Sequence, residues 1–399
     1  MQNMTRYNIF IIMVAMLFAG CTACKKAATG DVNVIATDNI DKDAPFWNKL
    51  LYHASSGGNN NVCLSPLSVQ MAIAMTATGA EGETQEQMYS TIGKEICEEA
   101  ERIISRFNEE STECELNLAN SIWINKRLKV KEDFINSNKS IYNAEIKNIP
   151  FDKNAIGKIN GWCNENTNGK INEIIDRIDA NNMMYLINAL YFKAPWWNPF
   201  RPQNTLKQPF TTADGNVVEA DMMKQSFKTS YYIDDTVQIA TMPFQGGFEM
   251  IFILPRYKKD LNDAIRHLSA QYKNCTDKME IYKVDFSVPK FKTEFSMNIR
   301  DILYRMGMER AFGNEAQFGK ISDEPLYIDE VIHKTFISID ESGAEAAAVT
   351  AVSMRAGAVM PREEKRATMT LDRPFIYAIK DKKTGTIFFV GTVCNPNKK

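Results

Sequence analysis

A chain of 399 residues with 44% hydrophobic and 24% charged residues has the balance of a globular protein with a large core. At this length a single fold buries roughly 75% of its unfolded surface, so neither disulfides nor a structural metal is needed for stability. A formal net charge of −2, with Lys and Arg dispersed, offers no basic field and excludes nucleic acid as an expected partner.

The N-terminus reads as a targeting segment. Arg6 precedes an apolar run from Ile9 to Ala19 that is too short to span a bilayer and suits a signal-peptide core. The run closes with Phe18-Ala19-Gly20-Cys21. Small residues before a Cys are similar to a bacterial lipobox, although Phe18 stands where Leu is usual. This gives a signal peptide at 1–20, a lipidated tether at 21–40 anchored to a membrane through Cys21, and one folded domain at 41–399. The alternative is plain secretion with cleavage near Ala23. The eight cysteines, at 21, 24, 63, 97, 114, 163, 275 and 394, are too scattered for a disulfide framework.

Ser65-Pro66 predicts a helix start, Ser as the cap and Pro at the first position. The apolar residues from Leu67 to Met75 surround most of that helix, so it is expected to be buried, with Gly79 closing it in a left-handed cap. Ile156, Ile159, Trp162 and Cys163 repeat at helical spacing and predict a helix over Asn154 to Glu165. Met183 to Phe192 is apolar apart from Asn188 and predicts a central strand. Phe248 to Leu254, ending at Pro255, is similar. Val284, Phe286 and Val288 alternate as a half-buried strand ending at Pro289, and Ile387 to Val393 is a last strand. No linker divides the chain, and helices followed by strands in one unit give an α+β class.

The most informative stretch is Glu341 to Arg355. Its Ala and Glu content suits a helix, yet it also alternates. Even positions 344 to 354 are Ala, Ala, Ala, Thr, Val and Met, whereas Glu345, Ser353 and Arg355 lie on odd positions. As a strand it has one apolar face of mostly small side chains, able to slip between two others. A charged, Pro-containing loop from Gly357 to Arg366 follows. Helix and strand are both open on this segment alone. Enzyme signatures such as G-x-S-x-G, H-E-x-x-H or a phosphate-binding Gly loop are not found. Three histidines make a His-rich metal site unexpected, and neither a metal nor a cofactor is expected.

Several motifs in order strongly resemble the serpin family from about residue 45 to the C-terminus. They are Glu341-Ser342-Gly343-Ala344-Glu345-Ala346-Ala347-Ala348, Asn61 to Ser68, and Asn188 to Lys193 with Trp196, where Ala194 replaces the usual Gly. Pro289-Lys290-Phe291, Leu303 with Gly307-Met308, His333-Lys334, Asp372-Arg373-Pro374-Phe375 and Phe389-Val390-Gly391 complete the set. The resemblance implies a single domain of three β-sheets and about eight or nine helices with an exposed reactive-centre loop. It implies a monomeric inhibitor of serine, and also cysteine, proteases. The protease attacks the loop and forms an acyl-enzyme. The freed hinge (Glu341, Gly343, Ala344, Glu345, Ala346, Ala347, Ala348) then inserts as a strand of about 14 residues, carrying the protease on the order of 45 Å. Distortion follows before the ester is hydrolysed, since even a ~1 Å misplacement can cost ~100-fold in rate.

A small residue at Ala344 favours an inhibitor over a non-inhibitory relative that acts as a substrate, chaperone or carrier. The resemblance also implies a polar shutter of Ser65, Ser68, Asn188 and His333 beneath the sheet, able to supply one another's hydrogen-bond partners, and places Trp196 where insertion begins. Counting from Glu341 puts the cleaved bond near Gly357-Ala358, with Arg355, Ala356 and Val359 as alternatives. Small and aliphatic residues there suit elastase-like or subtilisin-like proteases, and Arg355 a trypsin-like one. The expected setting is a bacterial cell envelope.

Overall fold

The computed structural model describes residues 40–56, 59–107, 114–179, 182–345 and 364–398. The expected signal peptide, Cys21 and the tether up to residue 39 lie outside the described residues. So do Ala346, Ala347 and Ala348 and the loop positions Arg355, Ala356, Gly357, Ala358 and Val359. Residues Ile40–Lys399 form one compact unit.

The first part of the domain runs α1 (Phe46–Ser55), β1 (Val62–Leu64), α2 (Pro66–Ala77), α3 (Gly82–Ile92), α4 (Lys94–Phe107), β2 (Glu115–Asn125), α5 (Glu132–Tyr142), β3 (Glu145–Ile149), α6 (Lys153–Asn166) and β4 (Met184–Pro195). Strands dominate the rest: β5 (Leu206–Thr211), β6 (Val217–Ile233), β7 (Val237–Pro243), β8 (Phe248–Pro255), α7 (Leu261–Asp277), β9 (Glu280–Pro289), β10 (Phe291–Asn298), α8 (Arg300–Arg305), β11 (Ile332–Ile339), β12 (Gly343–Ala344), β13 (Arg366–Thr370), β14 (Phe375–Asp381) and β15 (Ile387–Val393).

Local chemistry accounts for these boundaries. Ser65 caps α2, its Oγ accepting from Ser68 N at 3.2 Å, and Pro66 opens the helix. Gly79 does not close α2 as the sequence suggested. Thr78 ends the helix in right-handed geometry, and Gly79 matters for space, since a Cβ there would lie 2.1 Å from the Ile321 side chain. Asp152 caps α6 by accepting from Asn154 N at 2.8 Å. β8, apolar except for Glu249, is buried throughout, because both faces of that strand are covered.

One sheet has six strands in the order β10-β11-β12-β4-β2-β3. The other nine form a connected assembly, β1-β15-β14-β8-β7-β6-β9-β13 with β5 on β6. It is joined through the long β6, whose last residues Tyr231–Ile233 pair with β7 while Met222–Tyr231 pair with β9. It therefore divides into two sheets, giving three sheets and eight α-helices among the described residues, an α+β fold. In the six-stranded sheet, Ile187 and Ala189 of β4 face the cluster of Ile159 and Trp162 from α6. Leu190 and Phe192 face the main core with α2. The α2 face of β4 is the one that carries Asn188, because side chains alternate along a strand.

Candidate functional site

β4 and β11 lie in the middle of the six-stranded sheet, and among the described residues only the two-residue β12 joins them. Gly343 pairs with Pro195, and Ala344 pairs with Ala194 on one side and Ile339 on the other. Ala344 is 1% exposed. Glycine is required at 343: its φ is 148°, and a Cβ would sit 2.2 Å from the Ala194 carbonyl oxygen.

Trp196 holds this end of the sheet. Its indole nitrogen donates to the Asp340 carbonyl at 2.9 Å, and its backbone N–H donates to the Ser342 carbonyl at 2.9 Å. The ring is fully buried and stacks on Phe244 with centroids 4.1 Å apart. Asp340 tightens the turn before β12, its Oδ1 accepting from Ser342 N at 2.7 Å. Glu341 is tied down by Lys290 Nζ at 2.7 Å and Thr205 Oγ1 at 2.7 Å. Burial pushes the Glu341 carboxyl up, but these partners outweigh it and its pKa is lowered overall.

Regular strand geometry stops at Glu345, which has a positive φ of 51°. Its side chain is 6% exposed, with Lys170 Nζ 3.4 Å from Oε2, yet among the described residues neither carboxylate oxygen makes a hydrogen bond of good geometry. Burial therefore prevails over Lys170 and raises the Glu345 pKa.

Beyond β12 the edges of β4 and β11 flank a cavity of about 450 Å³, floored by Ser68, Val69 and Ala72 of α2, with Asn188 on one lip and His333 on the other. Ser65 N donates to His333 Nε2 at 3.0 Å, and Ser65 Oγ donates to Ser68 Oγ at 2.8 Å. Burial without a counter-charge pushes His333 down to about 4, so it is neutral at physiological pH. Asn188 does not join this group. Its amide donates to Asn120 Oδ1 at 2.7 Å, and Asn120 in turn donates to the Tyr142 carbonyl at 2.7 Å. Asn188 Oδ1 is buried without a hydrogen-bond partner among the described residues.

The pattern of the Serpin family (serine protease inhibitor) matches residues 45–396. The chain belongs to the serpin family. It is 35% identical to an uncharacterized serpin-like protein of Thermococcus kodakarensis over 87% of this chain and 83% of that one. It is 30% identical to human antithrombin-III over 86% of this chain and 78% of that one. The crystal structure of a thermophilic serpin, tengpin, in its native state superposes with a TM-score of 0.79 at 34% identity, covering 90% of this chain and 96% of that one. Serpins in general are inhibitors of serine proteases rather than enzymes.

In this serpin, Ser65, Ser68 and His333 are brought into one hydrogen-bonded group, whereas Asn188 finds its partner in β2. Glu341, Gly343, Ala344 and Trp196 converge at the far end of the slot. Ala194, which replaces the family's usual Gly, meets Ala344, so two small side chains share that position. Sequence reasoning missed Asn120, although Leu118-Asn120-Ile122 carries the same signal as Asn188, a lone amide on an apolar face. It also missed Lys170, which nothing in its local sequence links to Glu345.

Proposed function

We propose that this serpin inhibits serine proteases as a suicide substrate, its cleaved loop entering the slot between β4 and β11 as a full-length strand. The observation that carries this reading is β12 itself: the segment preceding the proposed loop is already paired with both flanking strands at one end. Six residues on from Ala344 is Thr350. Six residues back along β4 from Ala194 is Asn188, and six back along β11 from Ile339 is His333. A strand continued in this register sets Thr350 between the two polar residues on the cavity's lips. Its other core-facing positions, Ala346, Ala348, Val352 and Met354, are all apolar. The period-two pattern thus supports insertion with the even positions inward, and the Thr350 hydroxyl is suited to donate to Asn188 Oδ1.

The cleaved bond is proposed at Gly357-Ala358 or a neighbouring bond between Arg355 and Val359, with elastase-like or broad specificity that extends to subtilisin-like enzymes. A lipid anchor at Cys21 would hold the inhibitor at a bacterial envelope. Mixing the protein with neutrophil-type elastase, pancreatic elastase, trypsin and subtilisin on a denaturing gel tests the mechanism. A band at the summed mass is expected, and mass spectrometry of that complex should find the cut between Arg355 and Val359. A cleaved serpin band beside fully active protease from every enzyme would instead assign the loop to a non-inhibitory substrate or binding serpin.

A further inference from the structure

Outside the slot, one side-chain cluster has no part in strand insertion. Asp234 lies in the turn between β6 and β7, and His267 and Cys275 lie on α7. One ligating atom from each falls within 4.8 Å of the other two. We propose that these three residues bind a zinc-class divalent ion, which staples the β6–β7 turn to α7.

The geometry fits such an ion. His267 Nε2 is 2.8 Å from Asp234 Oδ2 and 3.8 Å from Cys275 Sγ. A tetrahedral zinc with bonds of about 2.0–2.1 Å to nitrogen and oxygen and about 2.3 Å to sulfur sets an N···O edge of about 3.3 Å and an N···S edge of about 3.6 Å. The N···S edge is already within a few tenths of an ångström. The N···O pair, now at hydrogen-bond distance, needs to open by about half an ångström. A single imidazole nitrogen facing both the carboxylate and the thiol is what a shared ion requires. A proton relay would use the two ring nitrogens separately. Thiolate, imidazole and carboxylate together select zinc and its neighbours over calcium or magnesium, which take oxygen ligands.

The surroundings orient the donors. Asp234 Oδ1 accepts from Thr236 N at 2.7 Å and Val237 N at 2.8 Å, which turns Oδ2 toward His267. Tyr232 OH donates to Oδ2 at 3.0 Å, a supporting bond of the kind that holds ligating carboxylates in place. The Asp234 and His267 side chains are each 23% exposed, so an ion can enter and a water can complete the tetrahedron. Cys275 closes the site from the buried side. Binding replaces the Cys275 S–H bond with a metal–sulfur bond and releases that proton to solvent, while the neutral His267 ring carries its remaining hydrogen on Nδ1 instead of Nε2 so that Nε2 can ligate, without any redox step.

Cobalt(II) is the spectroscopic probe and zinc the binding probe, both added to the purified protein. The expected results are one retained zinc equivalent after dialysis and a thiolate-to-cobalt charge-transfer band. Cys275→Ser should abolish the band and His267→Gln should weaken zinc binding by at least about tenfold, while Cys97→Ser changes neither. His267 is on the helix surface, so His267→Gln decides the matter if Cys275→Ser misfolds. Zinc should also raise the thermal midpoint of the unsubstituted protein but not of His267→Gln. A cobalt–thiolate band that survives in Cys275→Ser, zinc affinity unchanged in His267→Gln, or no zinc retained by the unsubstituted protein would overturn the proposal. The last result would leave a hydrogen-bonded cluster only.

Discussion

The substitution Ala344→Arg puts a charge at the first position of the slot. Ala344 is 1% exposed and faces Ala194 and Ile339, which are 0% and 1% exposed. An Arg there overpacks the strand pair, at about 1–3 kcal/mol, and removes its charge from water without an acidic partner opposite, at several kcal/mol more. Because position 344 is already seated in the resting sheet, the Arg first expels β12, and taking only about 4 kcal/mol of that total as the cost of re-entry slows insertion by about a thousandfold. The scissile loop is unchanged, so acylation still occurs, but hydrolysis of the acyl-enzyme now outruns strand insertion. Titrating active protease with the variant should therefore show cleaved serpin, little SDS-stable complex, and a stoichiometry of inhibition raised by orders of magnitude. Ala344→Ser, small and uncharged, should still trap. If Ala344→Arg traps protease at the stoichiometry of the unsubstituted chain, a charge at this seated position does not obstruct growth of the strand from β12 and the insertion mechanism is wrong.

Other consequences are open to separate measurements. His333 is held neutral, its pKa depressed from 6.5 to about 4. The native state thus has stability above pH 6.5 that is lost as pH falls toward 4, about 3 kcal/mol across that window. Urea midpoints between pH 7 and pH 4 should fall more steeply for the unsubstituted protein than for His333→Gln, and parallel profiles would count against the buried neutral imidazole. Thr350→Val should leave the loop cleavable but lower the melting temperature of the loop-cleaved form, by an amount equivalent to about 1–3 kcal/mol for the unpaired Asn188 carbonyl. An unchanged melting temperature would refute the register proposed for the inserted strand. Glu345 has the opposite sign from His333: its raised pKa gives the docked β12 stability below pH 4.5 that is lost as pH rises through the raised value. Glu345→Gln should retain that stability at neutral pH, seen as slower hydrogen exchange of the residue 345 amide, which bonds the Ser338 carbonyl at 3.1 Å. The two proteins should converge at low pH, and equal exchange at neutral pH would show that the carboxylate carries no penalty there.

Elements whose side chains face a single environment were legible in the sequence. The largely apolar β8, the Ser-Pro start of α2, the helical spacing of α6 and the last strand were all set by local periodicity and capping. The long β6 was not, because it changes partners along its length from β5 to β9 to β7, and no single alternation survives three surroundings. The site was legible in part for the same reason. Gly343 and Ala344 announce close packing by their size, and a lone Asn188 in an apolar strand announces a buried polar contact. That Asn188 bonds Asn120, and that Lys170 approaches Glu345, depend on strand register and on the loop after α6, which spacing along one chain does not encode. Asp234, His267 and Cys275 were hidden likewise: the turn and the helix that carry them meet only in the folded molecule.

Three unfavourable features of the described structure gather around β12 and its slot, although buried polar atoms without partners also occur elsewhere in the domain. Asn188 Oδ1 is buried without a partner, at about 1–3 kcal/mol. Glu345 occupies the left-handed region, which costs a residue with a Cβ roughly 1–2 kcal/mol. Its carboxylate is buried with an imperfectly aligned Lys170. A protein can place such costs anywhere and survive, yet these fall at the end of β12 and beside the slot that β12 points into. On the proposed mechanism a single movement relieves them together. Extending the chain through Glu345 restores a negative φ and turns its side chain to the face opposite the core. Continuing to Thr350 brings a hydroxyl to Asn188. Part of the free energy for displacing a protease then comes from local conflicts, released with the sheet hydrogen bonds of the new strand, and the Asn188 conflict is relieved only once the strand has grown six residues beyond Ala344.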